Sequence, residues 1–334
     1  MIVKKSRRLS SRSLHAGMAC GFAAGLMTLS VRAALTPAEI NEFRNTIGNR
    51  VEAATILGGD YGVGGGTFSS GAGNKNADVN ITKFGGSGDV GAPQPLGNLN
   101  IGWQPRLQGN MGYLTAKNTY NGSSQLAGDK NENDTFAIQF GGGARFWFDD
   151  SFSIAPTFMG MYGHSENTYT ARSAFGMANQ AEAKQLGLID WTVDTWTIRP
   201  SLNLQYKYTW HRTIFTLSSD PTYFYTDTFS SSSPNVDITG NSVTWENKLD
   251  VDVPLGVELF GHELRSGGFF SRTELYDGIR DGLQSEYLYE AHGRIVMDFL
   301  GQLWKVQWIG IGTSYVWGKD FTGWSIGADI AFRF

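Results

Sequence analysis

Apolar and polar residues alternate along most of this chain with a period of two, the spacing that sends successive side chains to opposite faces of a strand. In "NDTFAIQFGGGARFWF", Phe136, Ile138, Phe140, Ala144, Phe146 and Phe148 share one face, and Gln139, Gly141, Gly143 and Arg145 share the other. "KLDVDVPLGVEL" sets Leu249, Val251, Val253, Leu255, Val257 and Leu259 against Lys248, Asp250, Asp252 and Glu258. "RPSLNLQYKYTW" sets Leu202, Leu204, Tyr206, Tyr208 and Trp210 against Arg199, Asn203, Gln205 and Lys207. The final "TGWSIGADIAFRF" keeps the pattern, with Trp324, Ile326, Ala328, Ile330 and Phe332 opposed to Ser325, Gly327, Asp329, Ala331 and Arg333. Pro254 interrupts one run and predicts a local bulge or a broken ladder there.

The pattern predicts twelve strands, near 60–70, 76–84, 99–120, 133–149, 151–168, 190–209, 212–228, 242–260, 264–279, 286–300, 304–318 and 322–334. Tight connections at 148–152, 210–212, 261–263 and 301–303 alternate with longer polar ones at 121–133, 169–189, 230–241 and 280–285. The Gly/Pro stretch 85–98 departs from this rule, being long where a short turn is expected. An even strand count with short turns at one end and long loops at the other marks an outer-membrane barrel. Each apolar face runs about ten residues and is tipped by aromatics, while the opposite face carries charge. Lipid outside and water inside fit that division, and closure satisfies every backbone amide in hydrocarbon. The predicted fold class is therefore all-β, a transmembrane antiparallel barrel of about 12 strands.

One helix is predicted ahead of the strands. Thr36 is an N-cap, Pro37 stands at the first helical position and Glu39 completes a capping box, with Leu35 and Ile40 as a hydrophobic staple. Ile40, Phe43, Ile47 and Val51 form a narrow apolar stripe. Residues 36–53 would span roughly 27 Å, close to the hydrocarbon thickness. They are expected in the lumen, against small inward positions at Gly310, Gly312, Ser314, Gly327, Ser325, Gly141 and Gly143. The charges expected to face the lumen are Arg145, Arg199, Lys207, Glu246, Lys248, Asp250, Asp252, Glu258, Glu290, Arg294, Asp329 and Arg333, together with Arg272, Glu274 and Asp298. They are mixed in sign, which suits bracing of the wall of a plugged barrel.

Composition narrows the setting. Residues 1–33 combine Lys4, Lys5, Arg7, Arg8 and Arg12 with the apolar stretch 16–31 and small residues before Ala34, a secretory signal peptide too short to span as a helix. Its removal takes six of 27 Lys+Arg and none of 31 Asp+Glu, moving the formal charge from −4 to −10. An acidic exported chain has no electrostatic footprint for nucleic acid. The single cysteine, Cys20, lies within the signal, so the mature chain has neither disulfides nor thiolate chemistry. After residue 33 no apolar run reaches helical-span length, which leaves strands as the spanning element. The predicted divisions are 1–33 as signal, 34–58 as the capped helix and 59–334 as barrel.

Candidate chemistry is sparse. His164 and Ser165 are adjacent in a strand and point to opposite faces, so they do not form a nucleophile–base pair. His211 and His262 fall in short turns, and His292 lies between Glu290 and Arg294 on the inward face as part of a charge network. Asp149 and Asp150 fall in a tight turn. The glycines of "GDYGVGGGTFSSGAG" lack the following helix and Lys-Ser/Thr of a phosphate loop and suit an early barrel strand. No cluster has metal-ligand spacing, and no cofactor or enzymatic activity is expected.

The capped helix, the twelve strands and the terminal "ADIAFRF" together resemble the translocator domain of autotransporters, over about 35–334. Cleavage at Ala34 would leave essentially no passenger, so the chain is most similar to the solitary barrels of that type. The resemblance implies a helix threading the lumen and an assembly signal at Ile330, Phe332 and Phe334. It implies a Gram-negative outer-membrane location. The expected partners are membrane lipid and lipopolysaccharide, periplasmic chaperones and the barrel assembly machinery, and the chain is expected to be monomeric. A structural or surface-interaction role through loops 121–133, 169–189 and 230–241 is expected first, a porin-like channel for small solutes second, and an outer-membrane hydrolase third.

Overall fold

Each of the twelve expected strands forms. The computed structural model describes residues 62–70, 77–120, 125–283, 285–299, 306–319 and 321–332. The signal segment, the helix at 36–53, Arg333 and Phe334 lie outside them. The strands are β1 (Gly62–Ser70), β2 (Ala77–Asp89), β4 (Gly102–Thr119), β5 (Lys130–Trp147), β6 (Phe152–Thr170), β7 (Thr192–Trp210), β8 (Thr213–Ser231), β9 (Thr239–Leu259), β10 (His262–Asp277), β11 (Tyr287–Asp298), β12 (Val306–Gly318) and β13 (Phe321–Phe332). A two-residue strand, β3 (Gln94–Pro95), pairs with the start of β4 inside the long 90–101 connection.

Successive strands pair antiparallel, β2 pairs across to β4, and β1 pairs with β13, so the sheet closes on itself. The residue pairing fixes the tilt. The row from Phe152 runs through Tyr206, Leu217, Leu249, Phe270, Ala291, Tyr315, Trp324, Thr67, Asn80, Thr115 and Asp134, and meets β6 again at Glu166, fourteen residues further along. A stagger of that size over twelve strands tilts them by about 40° and sets opposite backbones roughly 24 Å apart.

Closure depends on small residues. A Cβ on Gly66 would stand 2.7 Å from the Trp324 carbonyl, and one on Gly323 would stand 2.3 Å from the Phe68 ring and 2.6 Å from its Cα. Phe68 fills that space and stacks on Phe321 at 5.4 Å. The bulge expected at Pro254 is present: the β9–β10 register shifts between Glu263 and Arg265, and Gly256 takes φ +66° beside it.

The polarity of the wall inverts along its height. On β7 the exposed aromatics Trp196 and Tyr206 stand ten residues apart, the length of strand that crosses hydrocarbon at this tilt. Tyr208 and Trp210 continue the belt at the short-turn end, and Tyr113, Tyr162, Tyr223 and Trp245 continue it at the other. Beyond that upper belt the outward face turns polar, as at Thr115, Lys117 and Thr119, while the inward face turns apolar at Leu114 and Ala116. The projecting part of the barrel is thus patterned like a water-soluble one.

Among the described residues, two α-helices and a 3-10 turn (Pro234–Val236) form in the long connections. α1 (Ala174–Gln185) lies in the stretch expected to be a polar loop, and α2 (Gly278–Leu283) takes residues expected at the end of a strand and in the loop after it. Asp149 caps the tight turn at 148–151 by accepting from the backbone N–H of Ser151 and Phe152 at 2.7 Å.

Candidate functional site in the lumen and at the outer rim

The inward face carries two polar clusters. Near the short-turn end, Asp89 accepts from Arg106 at 2.9 Å and forms an ion pair with Arg145 at 3.0 Å, and Arg145 donates to Ser153 and Gln205. Trp147 donates to Gln104 and lies under the Lys207 ammonium at 5.2 Å. Arg199 donates to Gln139 and sits over the Phe224 ring. On the far wall Arg294 makes a bidentate pair with Asp250 at 2.8 and 2.9 Å, and Arg265 pairs with Asp252 at 2.7 Å. Lys248 pairs with Glu246 at 3.4 Å, and Asp298 shares the inward side. Glu258 lies beyond the bulge, exposed and opposite Glu263. The backbone of Phe332 ends β13, and Ile330 stands on the outward face opposite Ile309.

One expectation is corrected here. Arg272 and Glu274 face outward, because β10 turns Phe269, Ser271 and Thr273 inward, opposite Asp250, Lys248 and Glu246. Among the small inward positions, a Cβ on Gly312 would meet Asp329 at 2.5 Å and His292 at 2.6 Å, and at Gly267, also inward, one would meet the Arg294 guanidinium at 3.0 Å. These glycines let long charged side chains lie flat along the wall. Asp89, Arg106 and Arg265 were missed. Asp89 lies past the expected end of its strand, and Arg265 precedes a run whose two faces both carry rings.

His292 joins Ser314 and Asp329. Its Nδ1 is 2.8 Å from the Ser314 hydroxyl, its Nε2 is 3.0 Å from Asp329, and its ring stacks on Phe269 at 4.8 Å. The three have the composition of a nucleophile, base and carboxylate. Acyl transfer also needs donors for the oxyanion, and β12 is paired on both edges around Ser314, so its own N–H groups are spent in the ladders. The set ties β11, β12 and β13 together. His164 is outward and bonds Asp194 at 2.7 Å, whereas Ser165 is inward and buried against Thr135.

Towards the long-loop end one side of the lumen becomes apolar, while the inward positions of β7 to β9 stay polar at Thr195, Thr197, Thr222, Thr226 and Thr244. Phe68, Val79, Ile81, Leu114, Met161, Leu275, Leu288, Val316 and Phe321 form one buried cluster with Ile279 and Leu283 of α2. It runs from β10 round through β1 to β6. Above it the loops are fixed by Asp129, which is fully buried and accepts from the Arg172 and Ser173 N–H groups and from the Tyr169 and Ser173 hydroxyls. Burial alone would raise its pKa. The hydrogen bonds from Tyr169, Ser173 and Arg172 outweigh it and hold the carboxyl below its ordinary range. Ser173 also caps α1 through Gly176, where any Cβ would strike Asp129. Trp191, Leu188, Val193, Val236 and Ile238 pack the neighbouring loops together.

Comparison with known proteins places this geometry. Residues 95–327 match the family described as the solitary outer membrane autotransporter beta-barrel domain. Among solved structures, the transport unit of the autotransporter AIDA-I from Escherichia coli is 11% identical with a TM-score of 0.51, covering 88% of this chain and 99% of that one. The translocator domain of the autotransporter NalP from Neisseria meningitidis is 12% identical with a TM-score of 0.50, covering 88% and 96%. At such identity the likeness is one of fold. No curated protein is significantly similar in sequence.

Proposed function

The chain belongs to the solitary outer membrane autotransporter β-barrel domain family, and on that premise we propose that it is a closed barrel acting through its external surface rather than by conducting solutes. The observation that carries this reading is the apolar cluster that lines the upper lumen from β10 round to β6, with α2 turned into it. Water and ions do not cross a packed apolar constriction at useful rates. The loops above it are tied by a buried carboxylate and their own small core, which suits a fixed recognition surface.

Residues 1–33 direct export and are removed before Ala34, and Ile330, Phe332 and Phe334 present the assembly signal to the barrel assembly machinery after escort by periplasmic chaperones. Thr36, Pro37 and Glu39 start a helix whose Ile40, Phe43, Ile47 and Val51 stripe lies in the lumen below the apolar cluster. The mature chain is monomeric and carries out no catalysis.

Planar-bilayer recording tests the reading. The full-length protein should give no stepwise conductance. Plug and cluster act as barriers in series, so deletion of 36–53 alone should leave the pore shut. Combining that deletion with Phe68→Ala and Leu275→Ala should open it. A steady open pore in the unaltered protein would replace this reading with a diffusion channel.

A further inference from the structure

We propose that the outward face of β10–β12, at the level of the external belt, binds the phosphorylated sugar headgroup of an outer-leaflet glycolipid and seats one of its acyl chains. The first observation is a charge. The other described strand arginines, Arg106, Arg145, Arg199, Arg265 and Arg294, face the lumen, and Arg272 alone faces outward. An arginine on a lipid-facing wall is tolerated only near the headgroups. Arg272 is 46% exposed and forms an ion pair with Glu274 at 2.6 Å through one terminal nitrogen, and its other nitrogens have no acceptor among the described residues. A guanidinium with free donors matches phosphate, and the adjacent carboxylate accepts from sugar hydroxyls.

The second observation is a platform. Arg272 lies over Tyr287 and Tyr289 at 5.2 and 5.5 Å. Tyr289 stacks on Trp317 at 5.5 Å, Trp317 on Tyr315 at 5.5 Å and Phe270 on Tyr289 at 5.8 Å, all within 28° of coplanar. On the other outward faces the belt rings of the described residues meet in pairs, as at Trp196–Tyr225. Phe270 and Trp317 are tilted by 50° and Tyr287 meets Tyr289 edge-on at 62°, so the joined set is a faceted aromatic surface on which the apolar face of a sugar stacks.

The third observation is a hollow below it. One row down, Gly268 stands opposite Gly293, and Gly293 opposite Thr313. A Cβ on Gly293 would meet nothing within 4 Å. The wall is therefore recessed beneath the platform, where an acyl chain descends from a headgroup held at Arg272. Charge and platform share a level, Arg272 pairing across to Tyr289 and Tyr289 to Trp317, and the recess lies on the membrane side of both along the same strands, where the acyl chain of a headgroup held at Arg272 would run.

Native mass spectrometry of the full chain in nanodiscs containing bisphosphorylated lipid A, with phosphatidylglycerol as the competing anion, tests this. The protein should retain one lipid A in preference to phosphatidylglycerol. Arg272→Gln should reduce retention about tenfold, the size of one lost charged hydrogen bond. Gly293→Leu should reduce it comparably by filling the recess, with heat-dependent gel mobility showing the barrel intact in both. Removing the lipid phosphates should weaken the unaltered protein and leave Arg272→Gln unchanged. Retention of phosphatidylglycerol as strong as that of lipid A, or undiminished retention in both variants, would overturn the proposal. So would a phosphate effect that persists in full in Arg272→Gln.

Discussion

Asp129→Ala is expected to free the external loops while leaving the barrel closed. The substitution strands two backbone N–H groups and two hydroxyls that now end on one buried carboxylate. Charge-assisted bonds of this kind contribute about 1.5–3 kcal/mol each and are not additive. A net loss of about 3 kcal/mol raises the local opening constant about a hundredfold, at 1.4 kcal/mol per tenfold. Tryptic cleavage after exposed Arg172 should accelerate by that order, while heat-dependent gel mobility stays unchanged because the ladders do not involve these groups. Acid should act alike. A carboxyl whose folded pKa is lowered stabilises fully above its unfolded value, near 4, and loses that contribution as pH falls through the folded value. Hydrogen exchange at 125–129 and 171–176, corrected for intrinsic rates, should therefore rise below pH 4 in the unaltered protein and show no such step in Asp129→Ala.

Gly323→Val should prevent closure of the barrel. The new Cβ would stand 2.6 Å from the Phe68 Cα, so the clash reaches backbone and no rotamer of Phe68 relieves it. β1 holds β13 through eight residue pairs, against eighteen between β4 and β5, so the seam has little ladder to spare. Parting it leaves N–H and C=O groups unpaired in hydrocarbon, at several kcal/mol each. The heat-modifiable fraction on gels should fall more than tenfold. Phe68→Ala combined with Gly323→Ala should restore part of it, since the ring at 2.3 Å is the larger obstacle to a single methyl. Normal assembly of Gly323→Val would show that β1 does not hold the seam as described.

The barrel was legible because lipid imposes a strict period of two, and runs such as Leu249 to Leu259 have no competing pattern. Legibility fails where that constraint fails. In β10, Phe269 and Phe270 put a ring on each face, so parity gives no answer and Arg272 was assigned to the wrong side. Above the membrane the rule reverses: Leu114 and Ala116 point inward and Lys117 outward, a signal that is in the sequence but reads correctly only once the upper belt is located. α1 escaped because "AFGMANQAEAKQ" has no strong apolar stripe, and it is held by its Ser173 cap and by Asp129 rather than by amphipathicity. Of the luminal charges, the sequence identified the participants on β9 and β11. Their partners depend on the stagger between strands, which no single strand encodes.

β6 to β9 run 19 to 21 residues, whereas β11 to β13 run 12 or 13. Seven residues at a 40° tilt amount to about 18 Å of height. The cylinder is cut obliquely, with a parapet on one flank and a low sill on the other. A body of that shape is directional within a two-dimensional fluid: neighbours sliding along the membrane reach the sill unobstructed and meet an overhang opposite. Contacts in a crowded envelope will therefore favour one bearing around the axis, and probes arriving from outside will touch the parapet first.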